Sequence, residues 1–195
     1  MPLTRRQALA ALPFLALAGT GFPAGPRAET LPPPRLGGPF RMTTHRGEVL
    51  TEKDLEGAPY VLFFGFTHCP EICPTTLWEI SEDLEFLGPK AASLNVFFVS
   101  VDPERDTQET LQSYAEAFGN RVVALYGTPE ETARIARNYK AVFRKVPTSD
   151  GDYTMEHTAL LYLVDAGGNL FDTVRYQEDP DVRRRKLEEL ASKGD

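Results

Sequence analysis

Residues 60–74 read YVLFFGFTHCPEICP, and this stretch decides the fold class. Tyr60–Phe66 is a continuous apolar run rich in aromatics, closed by Pro59 on one side and Thr67 on the other. A short run of this kind suits a strand buried on both faces. Leu77, Ile80, Leu84 and Leu87 then recur at helical spacing and predict a helix over Pro74–Leu87. A strand running straight into a helix is the start of an α/β unit.

The same alternation continues outward. Leu94–Val101 (LNVFFVSV) predicts a second buried strand, and Asp106 or Thr107 caps a helix to about Phe118. Arg121–Leu125 is a short strand. Thr128-Pro129-Glu130-Glu131 is a capping box with Pro at the first helical position, opening a helix that ends near Tyr139. Thr158–Val164 predicts a third buried strand, which Asp165–Gly168 turns back into Asn169–Val174. Asp179-Pro180 opens a last helix to about Ser192. Upstream, Phe40–Thr44 and Val49–Leu50 form a hairpin around Gly47. The expectation is an α/β domain of thioredoxin-like architecture over 39–193, a central mixed sheet flanked by helices with an N-terminal hairpin. Phe63, Phe64, Phe66, Phe97 and Phe98 belong to its core.

Composition sets outer bounds. The 195 residues are 42% apolar and 25% charged, ordinary globular values that exclude collagen-like, disordered and coiled-coil chains. No apolar run reaches the ~18 residues of a membrane-spanning helix. Residues 1–28 carry three Arg and no acid, which leaves 18 basic against 28 acidic side chains, net −10, on 29–195. A body this acidic has little attraction for nucleic acid or anionic lipid.

The opening 1–28 reads as a bacterial export signal of the twin-arginine type. Arg5 and Arg6 precede the apolar stretch Ala8–Ala18, and cleavage points lie after Ala18, Ala24 or Ala28. The expected location is the periplasm or the extracytoplasmic face of a bacterial membrane, with a membrane tether only if the signal stays uncleaved. Residues 29–38 follow as a Pro/Gly-rich linker.

The two cysteines of the chain, Cys69 and Cys73, lie four positions apart in the loop that enters the first helix. Helix N-termini favour thiolate over thiol. A disulfide wants Cβ atoms about 3.5–4.5 Å apart, whereas helical i,i+4 positions hold them about 5–6 Å apart. Two sulfurs on one metal need to be only about 4 Å apart at metal–sulfur bonds of about 2.3 Å. The spacing therefore tilts toward metal, while a redox pair or a structural disulfide stays open.

Two thiolates select Cu(I), Zn(II) or iron–sulfur chemistry, and two protein ligands do not complete a zinc site or an iron–sulfur cluster, so a third ligand is sought. The imidazoles on offer are His45, His68 and His157. His68 adjoins Cys69, so the two side chains diverge, and His45 reads as a surface residue of the hairpin. His157 opens the strand Thr158–Val164 after a polar loop, Ser149–Glu156, which a thioredoxin-like sheet sets beside the first helix's N-terminus. Cys69, Cys73 and His157 thus make the candidate site. It suits Cu(I), and Cu(II) with one further weak ligand.

Phe64–Pro74 (FGFTHCPEICP), Val99–Thr107 (VSVDPERDT) and Tyr153–Asp165 (YTMEHTALLYLVD) together resemble the Sco/SenC family of copper proteins associated with cytochrome c oxidase assembly. The resemblance extends over nearly all of Phe40–Leu190. It implies copper held by Cys69, Cys73 and His157. It further implies delivery of that copper to the binuclear site of cytochrome c oxidase subunit II, or to another periplasmic copper protein. The alternative it implies is thiol–disulfide reduction of that site's cysteines by the Cys69/Cys73 pair. Family members commonly carry Asp before the ligand His, where this chain has Glu156.

Other motifs read as structural. Asp102–Asp106 is a strand-to-helix turn with an Asp cap and an Arg105 ion pair, against a partner-docking loop. Met155 is a gap-filler against a thioether ligand, and Tyr153 is a candidate water shield. Arg183–Lys186 with Glu188 and Glu189 reads as a solvated helix face.

Overall fold

The structure is a computed structural model that describes residues 36–193; the expected export signal 1–28 and most of the expected linker lie outside the described residues. Its centre is β3 (Tyr60–Gly65), in which every residue is buried. β4 (Asn95–Ser100) and β5 (Val122–Tyr126) follow in parallel on one side. On the other side β8 (Leu160–Val164) pairs antiparallel with β3, and β9 (Leu170–Arg175) antiparallel with β8. β1 (Arg41–Thr44) and β2 (Val49–Thr51) extend the β5 edge, completing the order β2-β1-β5-β4-β3-β8-β9. The helices are α1 (Ile72–Leu87), α2 (Gln108–Glu116), α3 (Pro129–Asn138) and α4 (Pro180–Ala191). This is the thioredoxin-like α/β fold expected, with its N-terminal hairpin.

The elements follow from local chemistry. All six β3 residues face core, which is why the run carries no polar alternation. Thr128 accepts from the Glu131 N–H while Glu131 reaches back to the Thr128 N–H, so the capping box starts α3 as read. Thr107, not Asp106, caps α2. Leu36, the first described residue, is buried, and the Gly37 N–H donates to the Asn138 carbonyl at 3.1 Å.

Three expectations need correction. First, the strand predicted over Thr158–Val164 starts only at Leu160, and His157 ends a different strand. β6 (Phe143–Pro147) and β7 (Tyr153–His157) pair antiparallel as a separate two-stranded sheet; β7 takes up the end of the expected polar loop Ser149–Glu156, and β6 lies before that loop. Second, His45 is not a surface residue. It is buried at the end of β1, where its N–H donates to the Ala124 carbonyl and its Nδ1 accepts from the Ala124 N–H at 3.0 Å. Burial lowers its pKa, and the neutral ring serves as an acceptor that prolongs the β1–β5 pairing. Third, the basic run of α4 is only partly solvated: Arg185 is exposed, but Arg183 and Arg184 turn inward. Arg183 is buried and its Nε bonds the buried Asp83 of α1, while Arg184 Nε reaches the other Asp83 oxygen at 2.7 Å. Two guanidiniums on one carboxylate join α1 to α4, satisfying charges that burial alone would make costly.

Candidate metal centre

α1 begins at Ile72, two residues earlier than the spacing predicts, so Cys73 lies in its first turn and Cys69 in the loop before it. Pro74 is tolerated there because first-turn N–H groups have no helical acceptor. The Glu71 side chain makes no cap bond. The Cys69 sulfur takes that place, accepting from the Cys73 N–H at 3.3 Å. Cys73 is fully buried and Cys69 half-buried.

Gly65 makes room for the deeper sulfur. A Cβ at this position would lie 2.9 Å from Cys73 Sγ and 2.5 Å from Cε2 of Phe98. The end of β3 thus requires glycine for close approach, not for turning.

His157 comes in from β7. Its Nε2 lies 3.5 Å from Cys73 Sγ, across 84 positions of sequence. Its Nδ1 lies 3.1 Å from the Thr158 carbonyl, which can only accept, so Nδ1 carries the proton and Nε2 presents a lone pair. The rings of Phe63 and Phe66 meet the imidazole edge-on at 6.1 and 5.9 Å. One donor atom from each of Cys69, Cys73 and His157 lies within 4.8 Å of the others. Two sulfurs and one imidazole nitrogen, with an apolar back wall, form a soft donor set of low coordination number.

The thiols are electrostatically unequal. The Cys73 thiol, then the Cys73 and Glu71 N–H groups, stabilise the Cys69 thiolate and draw its pKa down to about 4. Cys73 moves the other way: its bond to the Cys69 sulfur and its burial push its pKa up. The metal-free pair therefore shares one proton, held on the deeper sulfur.

The hairpin that brings His157 is tied to the sheet by polar bonds. Tyr153 Oη donates to Asp102 Oδ1 at 2.8 Å. Arg105 Nε donates to Asp102 Oδ2 at 2.6 Å and its Nη1 to the Tyr153 carbonyl at 2.9 Å. The guanidinium lies 3.6 Å from the Tyr153 ring centroid, and Lys145 Nζ lies 3.7 Å from the same centroid. Lys145 also pairs with Glu104 at 2.6 Å. Asp106, buried, accepts from Thr67 Oγ1 and Ser100 Oγ at 2.6 Å each and steadies the loop leading to Cys69.

The three predicted residues are therefore together, and the remaining candidates resolve. His68 is half-exposed and turned toward Asp106. Glu156 is exposed and bonded to Arg144 at 2.7 Å on the hairpin's outer face. Met155 is buried and lines a cavity of about 190 Å³ with Val101, Asp102 and Phe143. Tyr153 spends its hydroxyl on Asp102. The Asp102–Asp106 turn does more than cap a helix, since it holds the strand that ends in His157. Sequence reading had Arg105 as an ion-pair partner but missed its bond to Tyr153. It missed Gly65 outright, although a lone glycine inside an aromatic strand signals close approach.

Comparison with known proteins agrees with this geometry. Residues 28–192 match the SCO1/SenC family model. The chain is 39% identical over 142 residues to the human mitochondrial SCO1 homolog, covering 71% of this chain and 47% of that protein. The mouse counterpart is 40% identical, covering 75% and 52%, so the chain spans about half the length of these relatives. The structure of Bradyrhizobium japonicum ScoI with copper bound superposes with a TM-score of 0.73 at 44% identity, covering 80% of this chain and 99% of that one. Yeast Sco1 with copper bound gives 0.74 at 31%, covering 82% and 90%. The chain belongs to the SCO1/SenC family.

Proposed function

We propose that this protein is a copper chaperone that carries Cu(I) on Cys69, Cys73 and His157, and hands it to a copper-requiring subunit of cytochrome c oxidase, subunit II. The observation that carries the reading is the convergence of two sulfurs and one imidazole nitrogen within 4.8 Å. The donor types are soft, as Cu(I) prefers, and three ligands leave an open side on the ion. Copper is cargo here. An incoming thiolate can enter on the open side, and His157, borne on a hairpin held by polar bonds, is positioned to leave without unpacking the core. The copper-bound ScoI and Sco1 structures support copper as the ion. The 1–28 segment supports an exported, extracytoplasmic site of action.

X-ray absorption of copper-loaded protein tests the ligand set. Two sulfur and one nitrogen neighbours are expected, with the nitrogen lost in His157→Ala; an unchanged spectrum in that variant overturns the reading. One observation favours a second activity: the half-buried Cys69 sulfur is held as thiolate beside a protonated thiol. That arrangement suits thiol–disulfide exchange. His157→Ala separates the two, because it removes a copper ligand and leaves both thiols. Oxidase assembly that survives this substitution selects the reductase.

A further inference from the structure

The hairpin has an unused edge. Among the described residues β7 pairs only with β6. Two bonds at the ends of that pairing fix its phase: the Thr158 N–H donates to the Val142 carbonyl and the Thr148 N–H to the Asp152 carbonyl, both at 2.9 Å. Bonded positions alternate in an antiparallel ladder. Thr154 and Glu156 therefore turn their N–H and C=O toward β6, while Tyr153, Met155 and His157 turn theirs the other way. The Tyr153 carbonyl is taken by Arg105. The N–H and C=O of Met155 have no partner among the described residues.

This edge is one wall of a groove of about 450 Å³, lined on the β7 side by Thr154–His157 and opposite by Cys69, Pro70, Glu71 and Ile72. Arg105 closes one end of the free edge, and the cysteine–histidine cluster lies at the other. The open stretch is thus one bracket long, enough for a single extended segment and too short for edge-to-edge pairing of two copies. Glu71 stands on one wall, whereas the Glu156 carboxylate on the other side is paired with Arg144.

We propose that the Met155 edge of β7 receives an extended, thiol-bearing segment of a partner protein as an added strand. Strand addition supplies main-chain bonds for affinity, and the side-chain alternation places one partner sulfur over Cys69. The inference rests on the copper-transfer reading and names how the recipient segment is seated.

A peptide disulfide tests it on the full chain. An acetylated and amidated hexapeptide of Val, Thr and Lys around one Cys is activated as its thiopyridyl disulfide. The Cys69 thiolate attacks the peptide sulfur, a Cys69–peptide disulfide forms, and thiopyridone leaves and is followed by absorbance. N-methylation is then walked along the peptide. Methylating the residue whose N–H faces the Met155 carbonyl should slow the reaction about tenfold, near the ~1.4 kcal/mol that a tenfold change represents. Methylating its neighbours, whose N–H groups face away, should leave the rate unchanged. In the peptide adduct the Met155 amide should exchange its hydrogen at least about tenfold more slowly than in an adduct with free cysteine. A flat methylation scan, or equal Met155 exchange in both adducts, overturns the docking. Copper loading of the same preparation is measured in parallel. A flat scan with intact copper binding removes the strand docking alone, whereas loss of copper binding overturns the chaperone reading.

Discussion

β3 and the β6–β7 hairpin meet at one site but are held by opposite means. β3 is buried at every residue and matched to β4 in six register pairs, Tyr60↔Asn95 through Gly65↔Ser100. In the hairpin only Met155 is buried, and five pairs join two strands that lie outside the main sheet. The thiol pair follows the first, and the imidazole belongs to the second. Packing positions the sulfurs, whereas the Asp102–Arg105–Tyr153 cluster positions the nitrogen. One half of the site is therefore fixed by dispersion and burial, and the other by a few directional bonds.

That contrast can be broken by substitution. The largest effect should come from Phe63→Ala, which empties the core behind the site and should destabilise by about 3–5 kcal/mol. Val146→Ala in β6 should stay within about 0.5 kcal/mol. Urea unfolding of both variants measures the difference, and comparable losses would end the contrast. Gly65→Ala comes next. Its added methyl presses on Cys73 Sγ and Phe98, so about 1–3 kcal/mol of stability should go, together with Cu(I) affinity in competition with a chelator. Retained stability and affinity would show that the sulfur does not need the glycine.

Tyr153→Phe sharpens the contrast from the other side. It strips a bond from the buried Asp102, a loss of about 1–3 kcal/mol. Amides of β6 and β7 should then exchange about tenfold faster, with β3 and β4 unchanged. Uniform acceleration across both sheets would mean that the hairpin opens only with the whole molecule.

A last effect is on pH dependence. In the folded, metal-free protein Cys69 has its pKa lowered to about 4, below the ~8.5 of a free thiol. The unfolded chain binds this proton more tightly, so the Cys69 contribution is complete above ~8.5 and is lost as pH falls toward about 4. Cys73 has the opposite shift, so its contribution is complete below ~8.5 and declines above it. Stability of the reduced protein relative to Cys69→Ser should therefore rise from acid and level off near pH ~8.5, because the alkaline decline due to buried Cys73 is common to both proteins. A difference that does not vary with pH would remove the shared proton.

The central sheet was legible because its strands are apolar throughout and its turns carry the residues such turns require. Cys69 and Cys73 were legible because their spacing is local. His157 was found from sequence, but on the wrong strand. β6 reads FRKVP, and Arg144 and Lys145 hide the pairing because the hairpin buries little apolar surface. His45 and Arg183 were assigned to the surface because their partners, Ala124 and Asp83, are distant in sequence. A charge-paired or backbone-paired polar side chain leaves no periodic trace.

The Nδ1 contact of His157 has a consequence for copper release. Its acceptor is the carbonyl of the very next residue, so the choice of tautomer depends on nothing across the cleft. Whatever distance β7 travels, the ring keeps its proton on the same side and its Nε2 lone pair bare. Detachment of the imidazole then needs no proton transfer, and its return needs none either.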